Sequence, residues 1–231
     1  MRGKIIVLTG VDATGKETQS KLLLQHLQEK GHNVRLQAFP NYDSPAGALV
    51  EKYLNATLVD NPKSLNPMQI SNLYLVDFVV TMNSHQEFLN NGGILILDRY
   101  TESNLIHQAG NFPTQTEQIR FANTLKNFQY NSLKLPKPNL VICLNMPLEQ
   151  SIKLMQERKI LKNGGKKDVH EQNPLHMQTA HKMCQQFAQL ENWTVVNCVD
   201  SEGNLRSPAR IHNHVKNIVD KFLDFGIERE Q

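Results

Sequence analysis

Cysteine is scarce: only Cys143, Cys184 and Cys198 occur, an odd count with no C-x-x-C pair. That excludes a disulfide scaffold and a zinc-ribbon arrangement. Cys143 and Cys198 fall in apolar runs and read as core residues. The nine histidines are scattered, and His176/His181 and His212/His214 lack the i,i+4 spacing of a helical zinc pair, so they read as surface or structural. Long hydrophobic runs are also missing. Ile5 to Leu8 is too short for a signal-peptide core or a membrane span, and Leu73 to Met82 is interrupted by Asp77. Neither charge sign dominates: 25 Lys+Arg against 22 Asp+Glu leave +3. The basic residues are dispersed except for one modest group near 158–167, which speaks against a nucleic-acid-binding face. The expectation is a soluble protein of a reducing, cytoplasmic compartment, bound to neither membrane nor nucleic acid.

What the chain does have is alternation. Short Val/Ile/Leu-rich runs stand at Lys4–Thr9, Asn33–Phe39, Ile94–Asp98, Asn139–Leu144 and Thr194–Val199. They lack strict polar alternation, as expected of strands buried on both faces of a parallel sheet. Helix signals stand between them. Residues 16–30 carry Leu23, Leu24 and Leu27 on one face and stop at Gly31. Ser44-Pro45 and Asn66-Pro67 each pair an N-cap with a proline at the first helical position, the second helix running to the turn at Asn90–Gly93. Further helices begin at Pro147 and at Ser207-Pro208, the last stopping at Gly226. One α/β domain over residues 1–231 follows, with a five-stranded parallel sheet, helices on both faces and ligands beyond the carboxyl ends of the strands.

The motif with the clearest chemistry is Gly10-Val11-Asp12-Ala13-Thr14-Gly15-Lys16, a G-x-x-x-x-G-K loop between a strand and a helix. The glycines let backbone N–H groups converge on phosphate oxygens, the following helix adds its positive end, and Lys16 adds a full charge. The expected fold is therefore a P-loop NTPase fold. The residue after the lysine is Glu17 rather than Ser or Thr, with Thr18 next. Either Glu17 reaches the metal shell, directly or through water, with Thr18 contacting phosphate, or metal binding is impaired. A second constellation, Asp98-Arg99-Tyr100, ends the strand Ile94–Asp98. There Asp98 can organise Mg²⁺ or its waters and Arg99 can hold an anionic acceptor. A plain Asp98–Arg99 salt bridge is the alternative.

With these residues the chain resembles the thymidylate kinase (dTMP kinase) family over nearly its whole length. The likeness rests on Gly10 to Gln19, Phe39-Pro40, Leu73-Tyr74, Asp98-Arg99-Tyr100 with Ser103, Val141 to Leu144 followed by Pro147-Leu148-Glu149, and Asp168 to Glu171. The resemblance implies a nucleoside monophosphate kinase that moves the γ-phosphoryl group of ATP to dTMP with Mg²⁺. It implies ATP contacts from Gly10 through Thr18, with Lys16, Asp98, Arg99 and Asp12 at the reaction centre. Asp12 matches an aspartate that meets the acceptor sugar. Phe39, Tyr42, Tyr74, Arg99 and Gln108 match the acceptor pocket, with Glu17, Thr18 and Asp98 near the metal. It also implies a mobile lid at about 158–173, in which Arg158 and Lys162 are the candidate cations, and a homodimer formed through the helix of residues 67–90.

Two positions depart from the family pattern. An arginine expected after Phe-Pro is replaced by the run Asn41 to Ser44, and an arginine expected four residues after the base-stacking aromatic is Phe78. They leave two other readings open: a kinase of another or several nucleoside monophosphates, or a catalytically weakened nucleotide-binding protein.

Overall fold

A computed structural model describes residues 3–61, 64–161 and 174–228, with the side chains of 158–161 and 225–228 also outside the description. Five strands form the sheet: β1 (Lys4–Thr9), β2 (Val34–Ala38), β3 (Ile94–Asp98), β4 (Leu140–Asn145) and β5 (Thr194–Asn197). Their order is β2-β3-β1-β4-β5 and every pairing is parallel. Leu8 of β1 registers with Asp98 of β3, so the P-loop and the Asp98-Arg99 pair leave the sheet at the same level.

Alternation along β1 divides the core. Ile5 and Val7 pack on one face with α3 (Pro67–Ser84), α5 (Thr101–Gln108), α6 (Gln115–Asn127) and α8 (Pro174–Leu190). Ile6 and Leu8 pack on the other with α1 (Lys16–Glu29) and α9 (Pro208–Glu228). Both faces are covered, which is why the central strands β1, β3 and β4 are largely apolar, while the edge strand β2 carries Arg35 and Gln37. Cys143 and Cys198 are buried as expected; so is Cys184, whose Sγ lies 3.3 Å from that of Cys143 without a bond between them.

The helix starts follow their caps. Ser44 accepts from the Gly47 N–H at the head of α2 (Pro45–Leu54), and Asn66 with Gln69 forms a capping box at the head of α3. The expected helix of residues 67–90 is not continuous. It breaks at His85 into α3 and α4 (Gln86–Asn90). The Ser84 hydroxyl takes the Thr81 carbonyl at 2.7 Å and competes with the helical ladder, while His85 turns to Gln37 of β2 at 3.3 Å. At the other end of the chain, α9 continues past Gly226 to Glu228. One helical glycine costs only about 1 kcal/mol, too little to end a helix this long. Between these lies α7 (Leu148–Leu161), where the helix expected from Pro147 begins one residue on. Along α3, Ile70 is buried while Val76, Val79 and Val80 are 49%, 38% and 49% exposed, so this helix presents an apolar face to solvent.

Candidate active site

The P-loop geometry follows from its glycines. Gly10 has φ 142°, and a Cβ there would lie 2.8 Å from the Leu144 carbonyl oxygen, so only glycine lets β1 pass this close to β4. Gly15, at φ 83°, starts α1 without a side-chain cap, leaving that helix end open to an anion. Lys16 folds back over the loop. Its Nζ donates to the Val11 carbonyl at 2.5 Å and to Thr14 Oγ1 at 3.4 Å. Burial first, and then the Arg99 guanidinium, bring its ammonium down to about 8, against the pull of Asp12 and Asp98.

Arg99 turns out of β3 with φ 68°, a left-handed conformation that aims its side chain across β1 toward the P-loop. Its Nη2 donates to Asp12 Oδ1 at 2.5 Å. The ion pair weighed for Asp98 is thus made by Asp12. Burial alone would raise the Asp12 carboxyl, but Arg99, His107 and Lys16 outweigh it and hold it far below the ordinary range. The Asp12 carbonyl accepts from Ser151 Oγ of α7 at 2.5 Å, which ties the loop to that helix. Asp98 is 8% exposed, and burial raises its carboxyl against the opposing charges of Lys16 and Arg99.

Two cavities open beyond the strand ends. One, of about 90 Å³, is walled by Asp12, Phe39, Pro40, Tyr42, Tyr74, Phe78, Arg99 and Gln108, with Ser103, Asn104 and His107. Every residue expected in the acceptor pocket lies here. Gln108 is 1% exposed and, among the described residues, its Nε2 has no partner, nor does the buried Ser103 Oγ. Donors left so in a cavity wall are available to a ligand. Phe78 is an inner wall, its ring 4.8 Å from Phe39 and 5.1 Å from Tyr100 between centroids. The other cavity, about 590 Å³, runs from Ala13–Gln19 past Asp98 to Met146, Leu154, Leu205, Arg206, Pro208 and Ile211. Both share Phe39, Pro40, Tyr42 and Arg99, so they meet at the Arg99 guanidinium.

Glu17 sits on the first turn of α1 at the rim of the larger cavity, three-quarters exposed, with its carboxylate 2.7 Å from Lys21 Nζ. Thr18 is exposed beside it. The lid expectation is only partly addressed: α7 extends to Leu161, while the Arg158 side chain and Lys162 lie outside the described residues.

Sequence reading missed several lining residues. His107 and Asn104 occupy one face of α5, and His107 Nδ1 lies 3.3 Å from Nε2 of His176 on α8. The helical character of α5 was the missing signal, since its buried face is largely polar. Leu205 and Arg206 reach the larger cavity from the loop before α9, folded by Asp200 accepting from the Glu202 and Asn204 N–H groups. No local motif marks them. Among the described residues no cluster of three metal-ligating side chains forms, and no helix is long and apolar enough to cross a membrane.

A P-loop, an acidic and a basic residue at the end of the adjacent strand, and two cavities meeting there define a nucleotide kinase of the nucleoside monophosphate kinase class. Residues 8–207 match the family model of thymidylate kinase. Similar proteins include the probable thymidylate kinase of Pyrococcus horikoshii, 30% identical over 68% of this chain and 72% of the relative. The human thymidylate kinase is 30% identical over 66% and 65% respectively, and that of Plasmodium falciparum 31% identical over 63% of each. A solved thymidylate kinase from Candida albicans superposes with a TM-score of 0.70 at 23% identity, covering 95% of this chain and 92% of that one, a likeness that shows the shared fold. The chain belongs to the thymidylate kinase family, and phosphorylation of dTMP is that family's reaction.

Proposed function

We propose that this enzyme transfers the γ-phosphoryl group of ATP from the larger cavity to dTMP held in the smaller one. The observation that carries this reading is that the two cavities share Arg99, which is paired with Asp12 and whose charge acts on Lys16. The triphosphate lies along Gly10 to Thr18, and its adenosine end extends toward Leu205, Arg206 and Ile211. Tyr74, Phe39 and Phe78 enclose the acceptor base, Gln108 and Ser103 supply its hydrogen bonds, and Asp12 meets the sugar.

The acceptor phosphate has a second pKa of about 6, so it is already a nucleophile at neutral pH. No general base is needed. The difficulty is repulsion between polyanions: two unit charges about 4 Å apart repel by roughly 4 kcal/mol at an effective dielectric near 20. Lys16 and Arg99 offset that repulsion and align the groups. Binding of the acceptor phosphate draws Arg99 partly away from Asp12, freeing the carboxylate for the sugar hydroxyl. Mg²⁺ would suit the oxygen donors of the larger cavity, the buried Asp98 with Thr18 and Glu17 at the rim, since this ion takes one or two carboxylates together with substrate phosphates and waters. When bound it supplies charge neutralisation at the phosphates.

The exposed Val76, Val79 and Val80 support a homodimer through α3, with Ile70 in the core rather than at the interface. Three unbonded cysteines, two of them 3.3 Å apart, suit a reducing cytoplasm. A coupled assay of ADP release tests the activity, comparing dTMP with dUMP, UMP, CMP, AMP and GMP. Turnover confined to dTMP is expected; ATP binding without turnover on any acceptor would refute the reading. Light scattering after size exclusion tests the dimer, with Val80→Glu expected to give monomers.

A further inference from the structure

Asp77 lies within α3 and is 0% exposed. A buried carboxylate must be met by donors, and Asp77 has three. The Asn41 backbone N–H donates to Oδ2 at 2.8 Å, Ser44 Oγ to Oδ1 at 3.2 Å and Thr81 Oγ1 to Oδ1 at 3.3 Å. Only Thr81 shares its helix; the other two belong to the segment that joins β2 to α2.

That segment and α3 are the facing walls of the acceptor pocket. The segment contributes Phe39, Pro40 and Tyr42, and α3 contributes Tyr74 and Phe78, which flank Asp77 in sequence. Asp77 itself is not part of the lining. Its carboxylate is a cross-brace behind the pocket, reinforced by Asn41 Nδ2 donating to Thr81 Oγ1 at 3.1 Å. Ser44 extends the brace into α2, since the same hydroxyl that donates to Asp77 accepts from the Gly47 N–H at 2.9 Å. The packing leaves no slack: a Cβ on Gly47 would lie within 1.9 Å of the Asn41 carbonyl oxygen. Two walls that are separate in sequence, in ring contact through Phe39 and Phe78, are thus tied by hydrogen bonds centred on a side chain outside the pocket lining.

We propose that Asp77 is the positioning residue of the acceptor pocket: it fixes the spacing between the aromatic wall of α3 and the Phe39–Tyr42 wall, and with it the affinity for the nucleoside monophosphate. This rests on the smaller cavity being the acceptor site. No described hydrogen bond joins the P-loop to this brace; Phe39, Pro40 and Tyr42 also border the larger cavity, but the α3 wall that Asp77 carries does not, so the brace acts first on the acceptor side.

Steady-state kinetics of Asp77→Ala, Asp77→Asn and Tyr74→Ala with each substrate varied, together with Tm, test this. Asp77→Ala should raise KM for dTMP by about tenfold to a hundredfold, the scale on which small misplacements act, while KM for ATP stays within about threefold. Asp77→Asn, whose amide oxygen can still accept from the Asn41 N–H, should recover much of that loss. A merely structural role would instead lower Tm and raise both KM values alike, and that result overturns the proposal. If Asp77→Ala does not fold, Asp77→Asn and Ser44→Ala carry the test, each expected to raise KM for dTMP selectively. Tyr74→Ala separates the two assumptions. A raised KM for dTMP there with unchanged KM in the Asp77 variants overturns the brace alone, and an unchanged KM in Tyr74→Ala overturns the acceptor site and the brace with it.

Discussion

The Arg99 guanidinium and the Asp12 carboxylate face each other at 2.5 Å across the strands β3 and β1, joining the end of one to the loop after the other. Both arise at the same level of the sheet, because Leu8 registers with Asp98. Arg99→Ala therefore removes the proposed acceptor-phosphate ligand and strands Asp12 as a partly buried, unpaired carboxylate. Truncating one member of such a pair costs about 2–5 kcal/mol, or roughly 30-fold to several-thousand-fold at about 1.4 kcal/mol per decade. A fall of that size in kcat/KM for dTMP is expected, and unchanged turnover would remove Arg99 from the acceptor site.

Lys16 should make ATP binding sensitive to alkali. Burial and Arg99 bring its ammonium down to about 8 in the ligand-free protein, and bound phosphates favour the charged form. Affinity for ATP is thus full below about pH 8 and declines as pH rises above it, by up to about tenfold per unit. Calorimetric titration from pH 7 to 9.5 measures this. Lys16→Arg should flatten the decline, because arginine stays charged throughout. Lys16→Ala should lower kcat strongly.

Glu102, 4% exposed on α5, carries a second proton-linked effect. Burial pushes its carboxyl from 4.5 up to about 7, outweighing hydrogen bonds from its own backbone N–H and from Thr101 Oγ1, and among the described residues Oε2 has no partner. The folded protein holds this proton more tightly than the unfolded chain does. The stabilising contribution is complete below about pH 4.5, shrinks as pH rises through about 7 and is absent above. The difference is on the order of 3 kcal/mol, at about 1.4 kcal/mol per pKa unit. Chemical denaturation at intermediate and alkaline pH should show the loss in the wild type, and Glu102→Gln should lack it.

Glu17 has a simple test. If it reaches the metal through water, Glu17→Ala shifts the Mg²⁺ concentration for half-maximal rate upward by a few-fold, since an exposed charge contributes only about 0–1 kcal/mol. A titration superimposable on that of the wild type would leave Asp98 and Thr18 as the metal-facing groups.

The strands were readable in the sequence because each is a short apolar run between turn residues, and all five stand within two residues of their expected bounds. The P-loop and Asp98-Arg99 were readable for the same local reason. The break at His85 was not, because it depends on a contact with Gln37 of β2, remote in the chain. Nor was α5, whose buried face carries Glu102, Asn104 and Gln108 rather than an apolar stripe. The helix α6 could have been found: Thr114 and Glu117 form a capping box whose T-x-x-E pattern stands in the sequence. The Asp12–Arg99 pair links residues 87 apart, and strand order alone brings them together.

That order divides labour within the sheet. On the proposed assignment, the walls of the acceptor cavity come from β2, β3 and the helices after them, and the far end of the donor cavity comes from β4, β5 and α9, with β1 between. Preferences for the two nucleotides are thus written in separate halves of the chain's architecture. Exchanging the base accepted and exchanging the base donated become independent engineering problems, whose mutations should combine additively until they reach Arg99.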